Sequence, residues 1–209
     1  MSNIVKKGIL IVVSGFSGAG KGTLMKKLIS EYDNYALSVS MTTRKPRKGE
    51  QDGREYYFVT RERFEEVISV GGLIEYASYV DNYYGTPTEY VEEKLNSGLD
   101  VVLEIEIQGA LKVKEKFPEA LLLFVMPPSI YELKERLLKR GTETDANIGK
   151  RLKRAKEEAE GINHYDYIII NDDLNKCVVR LNEIILAAHA DPLRNREFIK
   201  KLMDDLSQY

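Results

Sequence analysis

The sequence predicts an α/β fold in which a parallel sheet is flanked by helices, with an inserted mixed α+β subdomain and a mobile lid. Three observations carry that expectation. Short apolar runs alternate with helical patterns, a glycine-rich turn joins the first run to the first helix, and two stretches, 37–97 and 140–158, break the rhythm. The apolar runs are 9–13, 101–105, 121–125 and 167–170. Near-continuous apolar strands of this length suit a sheet buried on both faces. Helical patterns follow at 24–30, 109–117, 130–139 and 174–188. Strands alternating with helices favour a parallel sheet, which binds ligands at the carboxyl ends of its strands.

The turn after the first run reads Gly15-Phe16-Ser17-Gly18-Ala19-Gly20-Lys21-Gly22-Thr23. Glycines let the backbone turn so that several N–H groups point at one anion. The helix that follows contributes its partial positive charge, and Lys21 contributes a full one. A nucleotide polyphosphate is the expected ligand. Gly22 stands where such loops usually carry Ser or Thr, whose hydroxyl would meet a metal, and Thr23 comes next.

The first interruption is rich in tyrosine, with short strand-like runs at 56–59, 73–80 and 83–86 and turn signals at Asp52-Gly53 and Gly71-Gly72. Helices are expected at 61–70 behind a Thr60 cap and at 89–96 behind Thr88. This stretch reads as an inserted, mostly antiparallel subdomain over 37–97. Residues 1–36 and 98–209 then form the core of what is a single domain. The second interruption begins at Arg140 and is polar, glycine-containing and flanked by arginine-bearing helices, as a mobile lid over 140–158 would be. The tail from Asp191 carries an amphipathic pattern (Leu193, Phe198, Ile199, Leu202, Leu206) expected to pack on the core.

Composition narrows the partners. With 31 basic and 33 acidic residues and a net charge of −2, the chain has no global attraction for nucleic acid or anionic membrane. No apolar run approaches the roughly 20 residues that span a bilayer. The first apolar run ends in the glycine loop rather than in a small-residue cleavage site. One cysteine, Cys177, excludes an intramolecular disulfide and a multi-cysteine zinc site. These features fit a cytoplasmic protein, monomer or homo-oligomer, with no nucleic-acid or membrane partner.

Candidate chemistry lies outside the loop as well. Ser40-Met-Thr-Thr-Arg44-Lys-Pro-Arg47-Lys-Gly-Glu50 places two guanidinium forks around a stiffening proline, an arrangement suited to a phosphate monoester. Glu75 lies in a strand-like run. Glu104 and Glu106 are two apart at a strand end, so they are expected to point the same way. Their chemistry would be magnesium coordination through water or hydrogen bonding to ligand N–H groups. Arg136 and Arg140 share a helix face, and Arg151 and Arg154 lie across the polar loop from them. Arginines bracketing a flexible loop can reach a migrating phosphoryl group when a lid closes. His164, His189 and Cys177 belong to no nucleophile motif and read as structural.

Taken in order, the glycine loop, the 40–50 string, Asn82-Tyr-Tyr-Gly-Thr86, Leu103-Glu-Ile-Glu-Ile-Gln-Gly109, Arg140-Gly-Thr-Glu-Thr144 and Asn171-Asp-Asp-Leu174 closely resemble guanylate kinases. The resemblance spans about residues 9–190, and the Thr-Thr-Arg-x-Pro-Arg-x-Gly-Glu string is its most specific part. It implies a P-loop NTPase-type sheet with the insert as the nucleoside monophosphate subdomain. It also implies transfer of the γ-phosphate of ATP to GMP, with Mg2+ accompanying ATP. By that likeness Gly15–Thr23 and Asn171 bind ATP. Ser40, Glu75, Thr86 and Glu106 face guanine, Arg44, Arg47, Tyr56 and Tyr84 hold the GMP phosphate, and Glu50 is a further GMP-binding residue. Lys21, Arg44, Arg136, Arg140 and Arg151 are the catalytic cations. No residue is assigned as a direct metal ligand, and Glu104 is the acid that would reach Mg2+ through water. Some family members have Asp where Glu104 and Glu106 stand, so which acid meets the base and which the metal stays open. Two other readings compete: a non-catalytic guanylate-kinase-like binding module, and a kinase of another phosphorylated small molecule.

Overall fold

The computed structural model describes residues 7–79, 81–139 and 145–209. Five strands, β1 (Leu10–Gly15), β2 (Tyr35–Leu37), β7 (Asp100–Glu104), β8 (Leu121–Met126) and β9 (Tyr167–Ile170), form one sheet in the order β2-β7-β1-β8-β9. Every pairing in it is parallel. Four strands, β3 (Met41–Thr42), β4 (Tyr57–Phe58), β5 (Leu73–Tyr79) and β6 (Asn82–Pro87), form a second sheet in the order β4-β3-β6-β5. Its β3–β6 and β5–β6 pairings are antiparallel and its two-residue β3–β4 pairing is parallel.

The period of two in the apolar runs sorts side chains onto the two faces of the large sheet. Ile9, Ile11 and Val13 join a buried cluster with Leu24 and Leu28 of α1 (Lys21–Glu31), Leu133 and Leu137 of α5 (Ile130–Lys139) and Leu181 and Ile185 of α7 (Leu174–Ala188). Leu10 and Val12 join the opposite cluster with Val91 and Leu95 of α3 (Thr88–Asn96) and Ala110 and Val113 of α4 (Ile107–Lys116). Ile74 of β5 belongs to that second cluster, so the small sheet is anchored on the large one through α4. The remaining helices are α2 (Arg61–Ser69), α6 (Asp145–Ala159) and α8 (Arg196–Leu206).

The structure revises several expectations. β2 is a fifth strand of the large sheet, too short at three residues to register as an apolar run. Thr60 caps α2 by accepting from the Arg63 amide at 3.2 Å, but α3 begins at Thr88 behind Pro87, without a side-chain cap. Glu104 and Glu106 do not share a strand face. β7 ends at Glu104, and the chain turns so that Glu106 becomes the N-cap of α4. The tail does not pack on the core: no residue of α8 is buried. His189 is structural, its Nε2 standing 3.0 Å from Asp100, which also accepts from the Ile9 amide at 2.7 Å. Cys177 is fully buried, and burial raises its thiol pKa.

Candidate active site

A cleft of about 420 Å³ opens at the carboxyl end of the large sheet. Gly15, Ser17 and Lys21 line one side, Glu104 and Glu106 the floor, and Arg151, Arg154 and Glu158 the side formed by α6. The size matches small-ligand sites, and the place is where a parallel sheet offers backbone termini and helix dipoles.

The glycine loop needs its glycines for different reasons. Gly15 has φ 150° and lies so close to β8 that a Cβ would stand 2.0 Å from the Val125 carbonyl oxygen. Gly20 has φ 90°, and a Cβ there would lie 2.6 Å from Asn171 Nδ2. Around Gly22 nothing crowds: a Cβ would come no nearer than 3.6 Å, to a Glu104 carboxylate oxygen. Lys21 folds back over the loop and donates to the carbonyls of Gly15 at 2.7 Å and Phe16 at 3.3 Å.

The loop is braced from behind. Asn171, buried at the end of β9, donates its amide to Ala19 O at 2.8 Å. Arg136 donates to Ala19 O at 3.3 Å and Asn171 O at 2.7 Å, and it pairs with Glu132 one turn earlier on α5. On the cleft side Arg151 donates to Ser17 Oγ at 2.7 Å. Arg154 joins Glu106 to Glu158, its Nε donating to Glu158 at 3.2 Å. Desolvation raises the carboxyl pKa of Glu104 and Glu158, while the charges of nearby lysines and of Arg154 pull the other way. Glu104 is exposed and faces the cleft.

Two groups of predicted residues assemble on the small sheet. In the first, Arg44 lies 5.4 Å from the Tyr56 ring centroid and 5.7 Å from that of Phe58, and Tyr56 meets Tyr84 edge-on at 5.9 Å. Glu50 accepts from Arg44 Nη2 at 2.9 Å and from the Arg47 amide at 2.7 Å. Those bonds raise the guanidinium pKa and hold the Glu50 carboxyl below its usual range. Glu50 therefore orients the Arg44 guanidinium and pins the backbone at Arg47. In the second group, Thr86 Oγ1 donates to Glu75 Oε1 at 2.8 Å, and both residues are buried. Desolvation raises the Glu75 pKa, opposed by the Thr86 bond and the charge of Lys112. Gly109 in the first turn of α4 makes room for this carboxylate, since a Cβ there would stand 3.1 Å from Glu75 Oε2. Ser40 precedes β3 beside this sheet, and its carbonyl accepts from the Tyr57 amide.

Not every candidate converges. Glu106 is engaged by Arg154 in the cleft rather than joined to Glu75 and Thr86. Asn171 and Arg136 hold the loop's backbone instead of presenting their donors to the cleft. Arg140 and the loop to residue 144 lie outside the described residues. Sequence reasoning named Arg154 among the arginines bracketing the lid but left its partner Glu158 out. Their i, i+4 spacing was the available signal, and it reads equally as a surface ion pair.

Comparison with known proteins settles the family. The guanylate kinase family profile matches residues 7–188. The chain belongs to the guanylate kinase family. It is 50% identical over 202 residues to the guanylate kinase of Oceanobacillus iheyensis, covering 97% of this chain and 98% of that one. It is 48% identical over 200 residues to the guanylate kinase of Bacillus subtilis, covering 95% and 98%. The crystal structure of guanylate kinase from Anaplasma phagocytophilum superposes with a TM-score of 0.73 at 35% identity, covering 93% of this chain and 95% of that one. Guanylate kinase membership agrees with the P-loop type of fold: a parallel sheet with a glycine loop between β1 and α1.

Proposed function

We propose a division of labour by which these residues phosphorylate GMP from ATP. The chain is a kinase, an ATP:GMP phosphotransferase, and its substrates are ATP and GMP. The observation that carries the residue-level reading is that donors and acceptors form two separate sets. A cation-lined cleft surrounds the glycine loop, and an arginine–tyrosine cluster with a buried carboxylate sits on the small sheet.

In this reading ATP phosphates lie along the N–H groups of residues 15–23, at the start of α1, with Lys21 leaving the loop carbonyls to meet them. Arg44, Arg47, Tyr56 and Tyr84 hold the GMP phosphate, and Glu50 aligns the Arg44 guanidinium and fixes the loop backbone at Arg47. Glu75, Thr86 and Ser40 face guanine, with Glu106 reaching the base or the metal. Guanine presents N1–H and an amino group as donors, which an ionised carboxylate accepts, whereas adenine has an acceptor at N1. Arg151 sits on the cleft side of the loop, where it can stabilise charge on the transferring phosphoryl group. Arg136 steadies the loop, and Arg140, which lies outside the described residues, is a further catalytic cation in this reading. The attacking phosphate oxygen needs no covalent help, so alignment and charge neutralisation supply the catalysis.

The chain's donors fit a magnesium ion carried by the nucleotide. Among the described residues no cluster of three metal-binding side chains exists, and Gly22 offers no hydroxyl. Glu104 lies beside Lys21 and Gly22 and could meet such an ion through water, as Mg2+ commonly prefers. When bound, the ion would offset charge on the phosphate oxygens. Among the described residues no helix is long and apolar enough to cross a membrane, which accords with a cytoplasmic enzyme.

An acceptor screen tests the assignment. With ATP as donor, GMP is expected to exceed AMP, UMP and sugar phosphates by orders of magnitude in kcat/KM. Comparable turnover of AMP or of a sugar phosphate would overturn the base-reading role of Glu75 and Thr86. Nucleotide binding without turnover would favour the binding-module reading.

A further inference from the structure

Arg154 joins two acids of unequal burial. Its Nε donates to Glu158 at 3.2 Å, and its Nη2 donates to Glu106. The Glu158 side chain is 17% exposed and that of Glu106 is 67% exposed. Glu158 therefore anchors the guanidinium, and Glu106 is the partner that can leave. Glu106 is the N-cap of α4, yet its side chain makes no capping bond to that helix. Three residues on stands Gly109, which abuts the Glu75 carboxylate. An N-cap and the residue three positions later are neighbours at a helix start. Rotation about the Glu106 side-chain torsions can thus carry its carboxylate from Arg154 toward Glu75.

Phosphate supplies the reason to leave. Lys21, Arg151 and Arg154 line the cleft together with Glu104, Glu106 and Glu158, so three cations face three carboxylates. A nucleotide polyphosphate entering there competes with Glu106 for Arg154. It brings several negative charges where Glu106 brings one, and its oxygens suit a guanidinium fork. The carboxylate it displaces is then repelled by the same phosphate. Guanine N1–H and the guanine amino group are donors that can take that carboxylate up. On the reading that Glu106 faces guanine, we propose that Arg154 is a positioning residue that ties the two nucleotide sites together. It holds Glu106 in the cleft until ATP phosphate takes the guanidinium, and Glu106 then turns to guanine. Each nucleotide thereby favours binding of the other, since coupling between sites is reciprocal. An exchange of about 5-fold is expected, the top of what an exposed ion pair holds and the low end of coupling between sites.

Isothermal titration calorimetry on the full chain tests this, measuring Kd for GMP with and without a saturating non-hydrolysable ATP analogue and Mg2+. Wild type should bind GMP at least about 5-fold more tightly with the analogue. Arg154→Met should bind GMP alone about 5-fold more tightly than wild type, because nothing withholds Glu106. The tightening by the analogue should fall by the same factor. A merely structural role for Arg154 would weaken GMP binding on its loss rather than strengthen it. Glu106→Gln should weaken GMP binding with the analogue present, and adding Arg154→Met to it should change nothing further. If Arg154→Met fails to strengthen binding of GMP alone while Glu106→Gln weakens binding, the exchange is overturned and the guanine contact of Glu106 stands. If Glu106→Gln leaves GMP binding unchanged, the guanine assignment of Glu106 fails and takes the exchange with it. Should far-UV circular dichroism show that Arg154→Met is misfolded, Glu106→Gln alone decides. Tightening by the analogue equal to that of wild type would then overturn the exchange.

Discussion

At the scale of single residues, Glu75 sets stability against recognition. Burial raises its pKa above the ordinary 4.5, so ionising it disfavours the folded state. Stability tied to this group is fully present below its unfolded pKa and is lost as pH rises through its folded pKa. Glu75→Gln removes that loss. The variant should therefore melt higher than wild type at neutral pH, and the difference should shrink as pH falls toward 4. A variant that melts lower at pH 7 would show that the ionised carboxylate is net stabilised by Thr86 and Lys112. The same change should damage function, because an amide turns donors toward guanine donors. A fall of about 10²-fold or more in the GMP-to-AMP ratio of kcat/KM is expected, and an unchanged ratio would move base recognition to Glu106. For wild type, KM for GMP should rise on acidification, beginning above the usual carboxylate range. Lys21→Ala should cost about 3 kcal/mol or more of transition-state stabilisation. Single-turnover kinetics on the folded variant measures that, and a wild-type rate would discard the phosphate role of this residue.

At the scale of elements, the glycine loop makes opposite demands at two of its glycines. Gly20→Ala places a methyl group 2.6 Å from the Asn171 amide at a φ that L-residues avoid, so the brace on Ala19 must give way. A loss of roughly 1–2 kcal/mol in stability and a weaker Kd for ATP are expected. Gly22→Ala sits inside the first turn of α1 with open space, and helix propensity alone predicts a gain of about 0.5–1 kcal/mol. Thermal melts of the pair decide it, since equal effects would mean that the loop is not held by Asn171. Most elements were legible because the apolar runs and turn signals are strong. β2 was not, because three residues leave no period to read, and the turn that sends Glu106 onto the start of α4 was hidden because a strand and a helix N-cap look alike over two residues. Ser40, Arg44, Arg47 and Glu50 were found through a specific string, but that Glu50 holds the arginines required coordinates. Arg154 was legible as a lid arginine, but its pairing with Glu106, 48 positions away, was not, because no local pattern joins them.

At the scale of the whole molecule, the cations stand in three places. Lys21 and Arg136 sit about the loop, Arg151 and Arg154 project from α6, and Arg44 and Arg47 are tied to Glu50 on the small sheet. Among the described residues no hydrogen bond joins the arginine loop to the glycine loop or to α6, whereas α6 already touches the core through Ser17 and Glu106. Like charges oppose any closer approach until phosphates enter between them. Binding energy from both nucleotides can then draw the parts together, and water leaving the cleft would limit idle hydrolysis of ATP. We therefore expect the segment 37–97 and the helix following residue 144 to move toward the core on binding. Lys48 and Lys153 are exposed on these two parts, so Lys48→Cys with Lys153→Cys accepts paired distance labels while Cys177 stays buried. A bisubstrate analogue joining adenosine and guanosine through phosphates should shorten the label distance, ATP alone or GMP alone should shorten it less, and added salt should reduce the difference by screening the repulsion that holds the free form open. Tight binding of the analogue with an unchanged distance would refute closure while leaving the GMP kinase activity intact, because a rigid cleft could align the same groups.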